Sequence, residues 1–138
     1  MSLREGKTRM LYIGLYIATA VIFLALDAVW LRKVAMPMFQ RHVGGLMLDD
    51  PDLKVAAIFY ALYCAGVVYF AAAPAVAAGA PGLALQHGFV LGLLAYGTYE
   101  ATNKATLKGW HWQMVVSDTL WGAVLTGVSA WGAAAIFA

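Results

Sequence analysis

The sequence predicts an all-α fold: an integral membrane four-helix bundle with a short interfacial helix between spans 1 and 2. Three observations predict it. Of 138 residues, 63% are hydrophobic and only 12% charged, about half the charged share usual in soluble domains. Four apolar runs, at about 10–31, 53–78, 83–107 and 113–137, each reach the roughly 20 residues needed to cross the hydrocarbon core. None of the four alternates with period two as a barrel strand does, so a helix is the structure that satisfies their backbone in lipid. The chain then forms one transmembrane domain spanning residues 1–138.

The first run follows Arg4, Lys7 and Arg9, which raises a cleaved signal peptide as a rival reading. Its length of about 21 residues exceeds a signal core, and it ends in LDAVWLRK, not at a small-residue cleavage site. Between the first two runs, Met36, Phe39, Val43, Leu46 and Met47 recur on one helical face. That pattern predicts an interfacial helix at about 36–48. The DDPD stretch starts the second span. Asp50 suits its cap, Pro51 the first helical position, and Asp52 the positive end of the helix dipole.

GAPG at 79–82 predicts a tight turn without charge before the third span. KGWHW at 108–112 precedes the fourth, and puts Trp110 and Trp112 where aromatic side chains favour the membrane interface. Gly88 and Gly92, four apart, permit close helix packing. Cys64 is the only cysteine, so no intrachain disulfide forms and the residue reads as a small packing group. The net charge of +2 is small and dispersed, and argues against nucleic acid as a partner. The lipid bilayer is the partner expected.

The polar residues are not scattered. At a rise of about 1.5 Å per residue, Asp27 lies roughly 6 Å, Asp118 roughly 8 Å and Glu100 roughly 10 Å from the same membrane face. Helical phase groups them further. Tyr96, Tyr99, Glu100 and Asn103 form one stripe about 100° wide, and Lys104 stands four residues after Glu100, in the favourable order for an ion pair. His111, Met114, Asp118 and Trp121 form a second stripe, and Phe23, Asp27 and Trp30 a third. Tyr60 and Tyr63 place polar atoms in the same half of the second span. The pattern D-x-x-W occurs twice, at Asp27–Trp30 and Asp118–Trp121, and in antiparallel helices the two pairs could face each other.

Ionisable groups within a span cost free energy and by default face a bundle interior. Lys104 and Arg32 have long stems that can reach the interface instead. Asp27 and Asp118 are open to two readings, a site or structural hydrogen bonds between helices. No His/Cys/carboxylate spacing for a metal, no nucleophile motif and no cofactor fingerprint is present, so catalytic residues, metals and cofactors are not expected. Positive charges number six on one side and three on the other, which predicts both termini on the same, outer side.

FLALDAVWL, IFYALYCAGVVYF, AYGTYEATNKATLKGW and SDTLWG, in that order, resemble the DUF2177 membrane proteins over nearly the whole chain. The most specific pieces are LDAVWL and a Y-x-x-Y-[acid]-x-x-N-x-A-T-L-K segment. The second is carried by Tyr96, Tyr99, Glu100, Asn103, Ala105, Thr106, Leu107 and Lys108. Glu100 stands where the family pattern has Asp, which keeps the charge and lengthens the arm. The resemblance implies a small, multi-pass protein of the bacterial cytoplasmic membrane, with no activity attached.

The residues themselves point to a polar cavity at one membrane face, made by Asp27, Trp30, Tyr60, Tyr63, Tyr96, Tyr99, Glu100, Asn103, Asp118 and Trp121. Three acids among aromatic rings would bind or transport a small polar or cationic solute, or protons. The alternative is a non-catalytic accessory subunit whose polar cluster only locks helices together. A drug-exporter-like dimer would carry a lone carboxylate deep in the first span, which this sequence lacks, and a homo-oligomer stays open.

Overall fold

Two prolines shape the first half of the protein. In the computed structural model, which describes residues 2–138, helix α1 (Leu3–Trp30) begins at a capping box. The Glu5 amide donates to Ser2 Oγ and the Ser2 amide to Glu5 Oε2, both at 3.2 Å. The helix does not stop at Leu31. It widens into a π turn over Leu31–Ala35 and runs on as α2 (Met36–Val43), ending in a short 3₁₀ turn at Gly44–Leu46.

The interfacial helix expected at about 36–48 is therefore a continuation of the first span, and it stops at Val43. Pro37 supplies the reason. Its ring would press on the carbonyl four residues back, that of Lys33, and a wider turn there removes the clash. The second helix repeats the device. α3 (Leu53–Val67) passes through a π turn at Val68–Ala72 into α4 (Ala73–Ala77), and the carbonyl that Pro74 would crowd, Phe70's, again lies mid-turn. The cap of α3 is Asp52, not Asp50: Asp52 Oδ1 accepts from the Val55 amide at 3.2 Å. Pro51 accordingly lies outside the helix.

The chain turns back at Gly79, whose φ of +65° suits a residue without Cβ, and enters α5 (Gly82–Thr106). A second left-handed glycine, Gly109 at φ +79°, leads to α6 (Trp112–Phe137), capped by His111 Nδ1 accepting from the Gln113 amide at 2.9 Å. Every regular element among the described residues is helical. Three stretches are long and apolar enough to cross a membrane: Leu3–Leu46, Leu53–Ala77 and Trp112–Phe137. α5, expected as the third span, meets the length but not the apolarity. Gln86, His87 and the TYEATNK end dilute it.

Packing is closest between α5 and α6, because glycines bring their backbones together. A Cβ on Gly88 would stand 2.8 Å from the Thr126 carbonyl, and one on Gly92 would run into the Gly122 carbonyl. At the end far from the acids, small side chains including Ala71, Ala75, Ala84, Ala130 and Ala133 fill a tight core. At the other end the closest backbone packing of α3 is with α1. The outer surface is apolar: Ile58, Leu62 and Phe70 are 72%, 68% and 59% exposed. In water such a surface would drive association, whereas lipid is its ordinary solvent.

Candidate functional site

The parting of α3 from α5 and α6 leaves a cavity of about 620 Å³. Part of its lining is polar and aromatic: Asp27, Tyr60, Tyr63, Tyr96, Tyr99 and Asp118. The rest of the lining is largely apolar, with Leu31, Met36 and Phe39 from the first long helix and Val55, Ala56 and Phe59 from α3. Asp52 sits at the α3 cap end. Among the described residues, no lysine or arginine lines the cavity.

The two D-x-x-W motifs meet across α1 and α6. The indole rings of Trp30 and Trp121 stack with centroids 4.8 Å apart and planes 7° from parallel. Trp121 Nε1 donates to Asp27 Oδ1 at 3.1 Å. The reciprocal bond is not made, and Trp30 Nε1 is buried without a partner. Asp27, 4% exposed, also has the Tyr60 hydroxyl close by. Phe23 fixes both tyrosines of α3, its ring 5.7 Å from that of Tyr60 and 5.5 Å from that of Tyr63. Tyr63 in turn shares a 2.8 Å hydrogen bond with Thr126 and meets Tyr96 edge-on.

Asp118 is 9% exposed and faces the cavity. Among the described residues, no lysine, hydroxyl or indole donates to its carboxyl; its close neighbour is the Glu100 carboxyl. Glu100 stands behind Asp118. It is 0% exposed, does not line the cavity, accepts from Trp110 Nε1 at 2.9 Å, and has no partner at Oε2. Carboxylate oxygens only accept, so a bond between these two acids needs a proton held between them. One such proton would satisfy Oε2 and Asp118 together.

The expected site residues thus separate into two layers. Asp27, Trp30, Tyr60, Tyr63, Tyr96, Tyr99 and Asp118 line the cavity, while Glu100 and Trp121 support it from behind. Asn103 is not part of this lining. Its backbone carbonyl accepts from the Leu107 amide at 2.8 Å at the end of α5, and its side chain lies near the Tyr99 hydroxyl. The Glu100–Lys104 ion pair that the spacing allows is not formed: the ammonium of Lys104 sits over the Trp112 ring, 5.3 Å from its centroid.

Trp110 has a role that the spacing did not show. Whatever its depth in the bilayer, it is 8% exposed, packed with Met38, Val43 and Met114 and edge-on to Phe39 and Tyr99. A buried indole N–H needs an acceptor, and Glu100 is the acceptor it finds. The left-handed turn at Gly109 directs the chain inward there, which only φ reveals. α2 is held over the same end by His42, whose Nε2 lies 3.0 Å from Gln113 Oε1 and whose ring stacks on His111 at 4.5 Å.

The sequence model of the DUF2177 family, described as predicted membrane proteins, matches residues 12–135. The chain belongs to that family. No curated protein and no solved structure matches it.

Proposed function

We propose that this member of the DUF2177 family binds a small cationic solute in the cavity between α1, α3, α5 and α6, and carries it or protons across the membrane. One observation supports this above the others. Two buried carboxyls, Asp27 and Asp118, converge with four tyrosines on a cavity of about 620 Å³ whose described lining holds no lysine or arginine. Such a wall attracts positive charge, and aromatic faces add to the attraction. Asp118 lacks a donor, and an ammonium group would supply one. On this reading the protein is a multi-pass component of the bacterial cytoplasmic membrane with both termini on the outer side.

The test uses the protein in lipid nanodiscs, with the stacked Trp30–Trp121 pair as an intrinsic fluorescence reporter. Tetramethylammonium should change the emission saturably, and Asp118→Asn should weaken that binding at least tenfold. Proteoliposomes carrying Asp118→Asn or Glu100→Gln should lose solute or proton flux. Saturable binding that both variants leave unchanged would sink the proposal.

A second reading, a structural lock between helices, is favoured by the Asp27–Trp121 and Glu100–Trp110 hydrogen bonds. It predicts that Glu100→Gln lowers thermal stability in detergent while no cation binds to either protein.

A further inference from the structure

We infer that the occupant of this cavity is a single-chain cationic amphiphile, a molecule with one ammonium head and one apolar tail, that enters from the bilayer. This rests on the cation reading above and specifies its ligand class. Four observations carry it.

Size is the first. A volume of about 620 Å³ would hold about twenty waters at about 30 Å³ each, far more than a compact ion or a proton needs. It falls in the range of pockets that hold drug-sized organic molecules.

The mixed lining is the second. The acids and tyrosines share the lining with Leu31, Met36, Phe39, Val55 and Phe59. A compact hydrophilic cation would satisfy the polar groups and leave the apolar ones in unfavourable contact with water. An alkyl or aromatic tail uses both. Met36 adds an adaptable surface suited to tails of varied shape.

Third, the gap faces the apolar side of the helices. α3 packs most closely against α1 and meets α5 and α6 through the Tyr63 side chain, and the residues flanking the opening, Val55, Phe59 and Tyr99, are 63%, 60% and 52% exposed. Phe59 is six residues into α3, about 9 Å along its axis, so the opening extends along an apolar helix and beyond its cap.

Fourth, charge selects the head. Asp27, Asp118 and, at the cap of α3, Asp52 line the cavity, and the described lining has no cation to receive a phosphate or carboxylate. Anionic amphiphiles are therefore disfavoured.

The experiment photolabels the full chain in nanodiscs with decyltrimethylammonium bearing a diazirine at the tail end, followed by peptide mass spectrometry. A decanol carrying the same diazirine is the neutral control. Labelling should concentrate at Met36–Phe39 and Val55–Phe59. Decyltrimethylammonium should compete it away at least tenfold more effectively than tetramethylammonium, since each buried methylene strengthens binding from water by up to about fourfold.

Ala56→Trp, which fills the cavity beside Phe59 and Tyr60, should remove the labelling. Should that variant misfold, the competition series in the natural protein decides alone. Equal competition by the two cations would overturn the amphiphile and leave the cation site standing. Equal labelling of these residues by the decanol probe would overturn selection by the charged head. Failure of both cations to compete would overturn the cation reading as well.

Discussion

Replacing Trp110 with Phe removes a single N–H from the end of the bundle while keeping an aromatic ring, and the geometry sets the cost. Glu100 is 0% exposed, its Oε1 accepts from Trp110 Nε1 at 2.9 Å, and its Oε2 has no partner. The substitution leaves both oxygens without an indole donor. A buried acceptor stripped of its partner costs about 1–3 kcal/mol in water-soluble proteins. Hydrogen bonds between membrane helices average about 0.6 and reach about 1.7 kcal/mol, because the unfolded chain finds partners in the membrane too.

Trp110 lies in the connection between α5 and α6, not within a helix, so a value near the top of the membrane range, about 1.5 kcal/mol, applies. The smaller ring loosens the edge contacts to Phe39 and Tyr99, at 5.5 and 5.9 Å, for about 1 kcal/mol more. The expected loss is about 2.5 kcal/mol. Reversible unfolding in mixed micelles, followed by circular dichroism against the fraction of denaturing detergent, measures it. Combining Trp110→Phe with Glu100→Leu isolates the hydrogen bond. The double variant should be more stable than the sum of the two single losses by about 1.5 kcal/mol, well above the roughly 0.5 kcal/mol scatter of independent sites. A single-variant loss under about 0.5 kcal/mol, or strict additivity, would refute the reasoning.

The Asp27–Trp121 bond separates support from binding. Asp27→Asn keeps an acceptor for the indole and should change stability by less than about 1 kcal/mol while weakening tetramethylammonium binding in nanodiscs. Trp121→Phe should instead destabilise by about 1–3 kcal/mol, since the bond and part of the stack on Trp30 are lost together; equal behaviour of the two variants would contradict this. Gly92→Val should prevent α5 and α6 from closing, at a cost of about 1–3 kcal/mol or more, read by the same unfolding titration; tolerance of valine would mean the backbones are not in contact. Cys64 is 1% exposed, so a maleimide should label it only after denaturation, and rapid labelling of the folded protein would place the second helix elsewhere.

Much of the candidate site could be read along the chain, because depth and helical phase follow from residue count alone. Asp27, Asp118 and Glu100 share one end of the bundle, and the paired D-x-x-W motifs do face each other as Trp30 on Trp121. The π turns were also legible in principle. Pro37 and Pro74 each forbid an ordinary helix at the carbonyl four residues back, yet the apolar pattern around Pro37 reads equally well as a separate helix. The cap of α3 shows the same ambiguity, with three acids close enough to serve and only the start of the helix choosing Asp52.

What the sequence by itself determined is the class: an all-helical membrane protein whose acids gather at one end, since composition, run length and the 100° step of a helix are local properties. Which acid meets the cavity is not local. Tyr99 and Glu100 are neighbours on one stripe, yet Tyr99 lines the open gap and Glu100 is sealed behind Asp118. The difference depends on how far each helix stands from the next, and that distance is set elsewhere. Glycine contacts draw α5 against α6, and α3 leans on α1. Backbone spacing between helices is a property of pairs of segments far apart in sequence, so only the tertiary structure could separate the carboxyl that faces the cavity from the one that braces it.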